Sequence, residues 1–583
     1  MNTHNLQSIL SKEVKIPVLP RLYFFVDKFS ITERLIFFFF VGVCLITSAN
    51  LAAKVNSAFL VEIPAKGGSI TEGVIGLPRF INPLLAISDA DRDITALIYS
   101  GLLKATPEGK LVNDLSEYYT ISPDGKIYTF HLKDNIYFHD GMEITAEDVK
   151  FTIERAQDAL LKSARRASFD GVEVSVSNEK EIVFTLRQPY APFLENLTLG
   201  ILPEHIWKDA SAEQFPFSSL NVEPIGSGPY MVSTIKRNSS GLPIRYQLKG
   251  FKKHALGEAY IKEIIIKFYS NETELLNAYK RREVEGINGI SPAVAEELKK
   301  EGAEIKHSTL PRIFAVFFNQ NQQILFTNKE IRKALNLGLN KERIVNEVLQ
   351  GYGNVINGPI SPEYDTLAAQ EIGSTTDRVL AAKSILEKDK WKIASSTGFM
   401  GKKGQVLQFS LSTSNVPELK SAAEIIKEEW GKIGVLVDIK IFEPGDLNQD
   451  IIRQRKYDAL FFGEIVGRDL DLFPFWHSSQ RNDPGLNIAM YTNIAVDKLL
   501  EETRTTLDPE TRAQKYKKLE EEIQKDIPAV FIYSPDFIYA TSNRIRNVNL
   551  GKMTIPSERF LDVSNWYVET EKVWEFFVRE KTS

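Results

Sequence analysis

An unbroken apolar run, LIFFFFVGVCLITSANLAA at residues 35–53, dominates the start of the chain. About 19 residues without a charge, wound at ~1.5 Å per residue, reach about 28 Å, which matches the apolar thickness of a bilayer. Beyond it the pattern changes to short alternating runs bounded by turn residues. KIYTFHLK (126–133) follows Ser122-Pro123-Asp124-Gly125, EIVFTLR (181–187) follows Ser177-Asn178-Glu179, and both read as strands. Between them Thr145 precedes Glu147, Asp148, Val149, Ile153 and Ala156, the spacing of a helix that Thr145 caps and the two acids favour at its positive end.

Later the two periodicities alternate. IKEIIIKFYS (261–270) is strand-like, and Leu275, Ala278 and Tyr279 after it are spaced as on a helix face. QVLQFSLST (405–413) leads into Leu419, Ala422, Ala423, Ile426, Trp430 and Ile433 at helical spacing, then GVLVDIKIF (434–442), a short helix over 446–455 and the strand YDALFFGEI (457–465). Asp508-Pro509-Glu510 starts a helix with Ala513, Tyr516, Leu519 and Ile523 on its buried side; Pro528 stops it and AVFIYSP (529–535) reads as a buried strand. This order predicts an α/β protein whose parallel or mixed sheet offers ligand contacts at strand ends.

At 583 residues the chain exceeds one core, so two or more lobes are expected. Its 71 basic and 76 acidic residues nearly balance, without the clustered basic excess that gripping nucleic acid requires. The single cysteine, Cys44, excludes an internal disulfide framework and a thiolate metal cluster. Seven scattered histidines, and no HExxH, G-x-S-x-G or Walker A spacing, give no catalytic centre, no metal site and no cofactor. His139-Asp140 alone lacks the three or four convergent ligands a metal needs.

Before the apolar run, Lys12, Lys15, Arg21, Lys28 and Arg34 outweigh Glu13, Asp27 and Glu33, which places the N-terminus in the cytoplasm and the rest outside. The alternative, a cleaved signal peptide, would have an unusually long charged region, although Ala49, Ala52 and Ala53 could form its cleavage site. Residues 54–69, with Pro64 and Gly67-Gly68, suit a short tether. Val43 before Cys44 does not fit a lipid-attachment site.

Ordered segments after Gly73 carry a family likeness: Tyr99-Ser100-Gly101-Leu102-Leu103, Phe138-His139-Asp140-Gly141, Thr145-Ala146-Glu147-Asp148-Val149, Pro224-Ile225-Gly226-Ser227-Gly228-Pro229-Tyr230, Ile331-Arg332-Lys333-Ala334 and Tyr491-Thr492-Asn493. With them the chain resembles the family 5 extracellular solute-binding proteins of ABC transporters, the dipeptide- and oligopeptide-binding type. The resemblance implies a two-lobed, type II periplasmic-binding-protein-like fold with an extra subdomain, here preceded by one transmembrane helix. Together with the N-terminal pattern it divides the chain into a cytoplasmic segment (1–34), an anchor (35–53), a tether (54–69), a first lobe with its inserted subdomain (70–318), a second lobe (319–538) and a C-terminal return (539–583). The resemblance also implies a protein that closes on a peptide and delivers it to permease subunits, and the apolar run places it at the cell membrane with its binding domain on the extracytoplasmic side.

The cleft positions carried over from relatives are Ile87, Ser88 and Asp89 on the first lobe, Phe318 and Asn319 at the crossing, and Phe462, Gly463, Glu464, Asp469 and Asp471 on the second. Asp89 could meet a ligand ammonium or cap a helix; Asn319 could bond a peptide or satisfy a strand end. Gly463-Glu464-Ile465-Val466-Gly467 departs from the Gly-Trp and following Asp of dipeptide binders, so Glu464, Asp469 or Asp471 would have to substitute. A sensory or chaperone-like binder, or one for a metal chelate or oligosaccharide, would use the same cleft.

Overall fold

The computed structural model describes residues 28–362, 375–394 and 398–579. Lys12, Lys15 and Arg21, which carry much of the charge bias, lie outside the described residues. The chain divides into two units, residues 66–569 and a smaller one formed by its two ends.

In the smaller unit the apolar run lies in a longer helix, Ile31–Ala58, with no buried residue. The extension at its start comes from Ser30 and Glu33, which cap each other's backbone amides. Residues 54–69 do not form a free tether. Lys54 to Ala58 continue the helix, and Leu60–Ala65 is a strand that pairs with the C-terminal strand Glu569–Trp574. Trp574 donates its indole N–H to Asn56 Oδ1 at 2.9 Å and stacks on Phe59, so side-chain packing holds a segment whose composition looked flexible.

The large unit is built on a twelve-stranded mixed sheet that runs through both lobes. One half contains Leu436–Phe442, Gln408–Ser414 and Ala459–Ile465; the other contains Ser69–Ile75, Glu263–Tyr269 and the hairpin of Tyr230–Arg237 with Pro243–Gly250. Two strands connect them, Arg312–Phe318 and the long Ala529–Thr541, antiparallel to each other. Parallel pairs occur where a helix intervenes, as at Gln408–Ser414 beside Leu436–Phe442, with Pro417–Lys432 between them in sequence.

Local chemistry explains the elements. Thr145 and Asp148 form a capping box on Ala146–Gln157, and the Asp148 carboxylate accepts from the Thr145 amide at 2.9 Å. Asp508 accepts from the Thr511 amide at 2.8 Å to start Pro509–Asp526, and the left-handed Ile527 before Pro528 ends it. The four-stranded antiparallel sheet of Ser116–Ile121, Ile127–Leu132, Glu181–Leu186 and Val172–Asn178 forms the inserted subdomain. Its Phe130 and Phe184 pack with Val149 and Ile153 in the first-lobe core. The second lobe has cores on both sides of its sheet, because Val316, Phe318 and Phe461 face one way and Ile313, Ala315, Phe317 and Leu460 the other.

Candidate functional site

A cleft of about 450 Å³ lies where the lobes meet, over the two connecting strands. Asp89, Asn288 and Ile290 line it from the first lobe, and Leu419, Phe462 and Gly463 from the second. Arg312, Phe314 and Tyr533 supply its floor. The rings of Phe314 and Tyr533 stack with centroids 4.9 Å apart. Gly463 sits opposite Phe314 in the ladder, and a Cβ there would come within 2.7 Å of that ring, so glycine makes room for the aromatic floor.

A second cavity, of about 230 Å³, lies in the first lobe and is lined by the cations Arg92, Lys104 and Arg165 and by Asp114, Glu195 and Glu558. Burial pushes Asp114 up to about 6 and pulls Lys104 down.

Beside these cavities the lobes are latched. Arg468 of the second lobe, 5% exposed in its side chain, pairs with Glu558 at 2.7 Å, approaches Glu195 at 3.8 Å and donates to the Lys552 carbonyl at 3.1 Å. Asp471 pairs with Arg504 at 2.6 Å and accepts from the Tyr190 hydroxyl at 3.2 Å, while the Ala191 amide donates to the Arg504 carbonyl at 2.7 Å.

Burial raises Glu195 from 4.5 to about 7, partly offset by Arg468. Because the pKa is raised in the latched arrangement, the contribution of Glu195 to closure is complete below its ordinary pKa and is lost as pH rises through about 7. Ligand affinity is therefore expected to be higher near pH 5.5 than near roughly pH 8, and Glu195→Gln should flatten most of that difference. Titration calorimetry across that range checks it; a profile unchanged by the substitution contradicts it.

The carried-over positions separate into distinct environments. Asp89, Phe462 and Gly463 line the cleft, and Ile87 is exposed on the same first-lobe turn. Ser88, not Asp89, caps the Asp89–Ile98 helix, accepting from the Asp91 amide at 3.1 Å. Phe318 is fully buried against Phe326 in the second-lobe core. Asn319 satisfies the end of its strand: its amide donates to the Arg455 carbonyl at 2.9 Å and its Oδ1 accepts from Asn321 and Gln322. Glu464 is 5% exposed and does not line the cleft; burial holds its carboxyl well above the usual range. Asp469 and Asp471 belong to the latch region. Nothing local in the sequence marks Asn288 or the Arg468 latch, whereas Arg312 visibly opens an otherwise apolar strand.

Comparison with known proteins gives one consistent picture. A family model described as bacterial extracellular solute-binding proteins, family 5 middle, matches residues 110–484. The oligopeptide-binding protein AppA of Bacillus subtilis is 26% identical over 529 residues, covering 89% of this chain and 94% of AppA. The solved structure of AppA with a nonapeptide matches with TM-score 0.67 and 25% identity, over 87% of this chain and 100% of that one. The ABC transporter substrate-binding protein CtaP of Listeria monocytogenes matches with TM-score 0.74 and 25% identity, over 86% and 99%. NikZ of Campylobacter jejuni, solved with Ni(L-His), matches with TM-score 0.69 and 26% identity, also over 86% and 99%.

Proposed function

The chain belongs to the bacterial extracellular solute-binding proteins of family 5, and from that membership we propose that it captures peptides in the interlobe cleft and delivers them to an ABC importer. The family is one of binding proteins, and the reading involves no covalent chemistry. The observation that carries it is a cleft whose walls come from both lobes and whose floor is the pair of connecting strands. A ligand touching both walls favours the shut arrangement by its differential contacts, and release reopens it. The likeness to AppA, named an oligopeptide-binding protein and solved with a nonapeptide, supports peptide as cargo. Asp89, Phe462 and Gly463, together with Asn288, Arg312, Phe314 and Tyr533, are the proposed contacts.

The test is distance measurement between one label on each lobe of the full-length protein in nanodiscs. A casein hydrolysate should shorten the distance, and sucrose should not. Closure on nickel with histidine, with the hydrolysate silent, would replace peptide by a metal chelate.

The Ile31–Ala58 helix, with mean hydropathy 2.3 over its apolar window and no buried residue, supports a single-pass anchor holding the binding body on the extracytoplasmic side. Such tethering raises the concentration of the binder near its membrane partner. Cys44, the chain's one cysteine, lies within this helix and gives the check. In intact membranes a membrane-impermeant maleimide should leave it unlabelled, and detergent should expose it. A mature protein that starts after residue 53 and lacks Cys44 contradicts the anchor.

A further inference from the structure

Three exposed aromatic side chains gather where the Ile31–Ala58 helix runs into the strand pair of the smaller unit. Phe59, which ends the helix, is 55% exposed, Trp574 is 47% exposed and Phe576 is 68% exposed. The other five tryptophans, Trp207, Trp391, Trp430, Trp476 and Trp566, are at most 3% exposed, so Trp574 stands apart. Its place is fixed. Leu60–Ala65 pairs with Glu569–Trp574, the Glu575 amide donates to the Phe59 carbonyl at 3.0 Å, and the Trp574 ring stacks on Phe59 with centroids 6.1 Å apart. The indole N–H is already taken by Asn56 Oδ1 at 2.9 Å, so what the ring still presents outward is apolar. Aromatic surface held together in this way and left outside a core marks a contact with something other than water.

Depth along the helix identifies the contact. The uncharged run ends at Ala53, and Asn56 and Phe59 lie about 4.5 and 9 Å farther along the axis at ~1.5 Å per residue. Outside the apolar core of a bilayer comes a headgroup layer roughly 5–8 Å deep on each side. Trp574, bonded to Asn56 and stacked on Phe59, is therefore held at the level of that layer. Tryptophan is favoured there, because its broad ring meets the upper acyl carbons while its one polar group stays bonded. Lys54, the first charge after the run, is exposed at the inner edge of the same layer, within reach of lipid phosphates. A bilayer around the helix thus meets the three rings by simple continuation, whereas a protein partner would have to bring a matching surface.

Resting on the single-pass anchor reading, we propose that Phe59, Trp574 and Phe576 form a second membrane contact, lodged among the headgroups and upper acyl carbons of the extracytoplasmic leaflet beside the helix. The partner is a phospholipid surface. The helix crosses the bilayer and the segment after Glu569 rests on it, so residues 518 apart in sequence, Asn56 and Trp574, hold the same leaflet. Rings at this level resist sliding of the helix along the membrane normal, since movement either way carries them into water or into the acyl core.

The experiment measures tryptophan fluorescence of the full-length protein in phosphatidylcholine nanodiscs whose acyl chains carry bromine either near the headgroups or near the bilayer centre. Trp574→Phe gives the share of Trp574 by difference, and the emission of the five buried tryptophans shows that the variant is folded. Bromine near the headgroups should quench most of the Trp574 share, bromine near the centre little of it, and dissolved acrylamide little of it. Trp574→Phe should lose the bromine quenching. Quenching by acrylamide and by neither lipid overturns the proposal, because the ring then faces water. Quenching by neither acrylamide nor bromine also overturns it, because a second copy of the chain then covers the ring, and quenching chiefly by the deep bromines overturns it because the ring then lies in the acyl core. A membrane-impermeant maleimide on Cys44 in the same nanodiscs separates this contact from the anchor. Cys44 unlabelled and Trp574 unquenched by lipid leaves the anchor standing and removes only this contact. Cys44 labelled with Trp574 quenched near the headgroups keeps the contact and overturns the anchor, and Cys44 labelled with no lipid quenching overturns both.

Discussion

Arg468→Ala is expected to weaken ligand binding about 100-fold, with little loss of fold stability. Its side chain is held by groups of the first lobe and C-terminal return: the Glu558 carboxylate at 2.7 Å, the Glu195 carboxylate at 3.8 Å and the Lys552 carbonyl at 3.1 Å. Separating the lobes breaks all three, so their free energy belongs to the shut form and enters the apparent affinity directly. A hydrogen bond to a charged group contributes about 1.5–3 kcal/mol, and an interaction of about 2.7 kcal/mol is a factor of 100. Glu558 is itself fixed, accepting from the Thr554 hydroxyl at 2.9 Å, so the arginine meets a preset partner. Calorimetric titration of Arg468→Ala, Glu558→Gln and the double variant measures the coupling. Affinity within threefold of wild type would remove the latch from the mechanism.

Asp93→Ala is expected to destabilise the protein by about 3–5 kcal/mol, the usual cost of removing one member of a buried ion pair. Arg559 is fully buried and donates to both carboxylate oxygens of Asp93 at 2.7 Å, with its guanidinium over the Phe560 ring. Glu72, also fully buried, lies 3.8 Å from Arg559 and accepts from the Tyr539 hydroxyl at 2.6 Å. Burial raises Glu72 to about 6, with Arg559 opposing, and at 3.8 Å it makes no hydrogen bond to the guanidinium, so it does not replace the two bonds to Asp93. The cluster joins four separate segments, among them the Asp89–Ile98 helix that begins at the cleft and the connecting strand Ala529–Thr541. Urea unfolding of the full-length protein in detergent should show the loss, and a change under about 1 kcal/mol would contradict it.

Much of the fold was legible because periodicity and caps are local. The strand expected at 126–133 is Ile127–Leu132, and the helix starts at Thr145 and Asp508 are made by those side chains. The buried strand read from the apolar run 529–535 extends to Thr541, near the end of the hinge strand of roughly 529–539 that the resemblance implies, since its second half pairs with Glu304–Thr309 and Gly286–Asn288 from distant sequence. The site was harder to read because its geometry is not local. The Arg468–Glu558 contact joins residues 90 apart, and nothing near either one announces the other. Gly463 keeps the glycine of the dipeptide-binding pattern and Glu464 is where the chain departs from it, but the reason for the glycine is the Phe314 ring on a neighbouring strand. Strand parity decides the fate of Glu464: between Gly463 and Ile465, which line the cleft, its side chain turns into the protein.

Mass spectrometry of what is released when the purified full-length protein is denatured tests the central claim most directly. Peptides are the predicted cargo. Recovery of a metal chelate or a sugar, with no peptide, would contradict it.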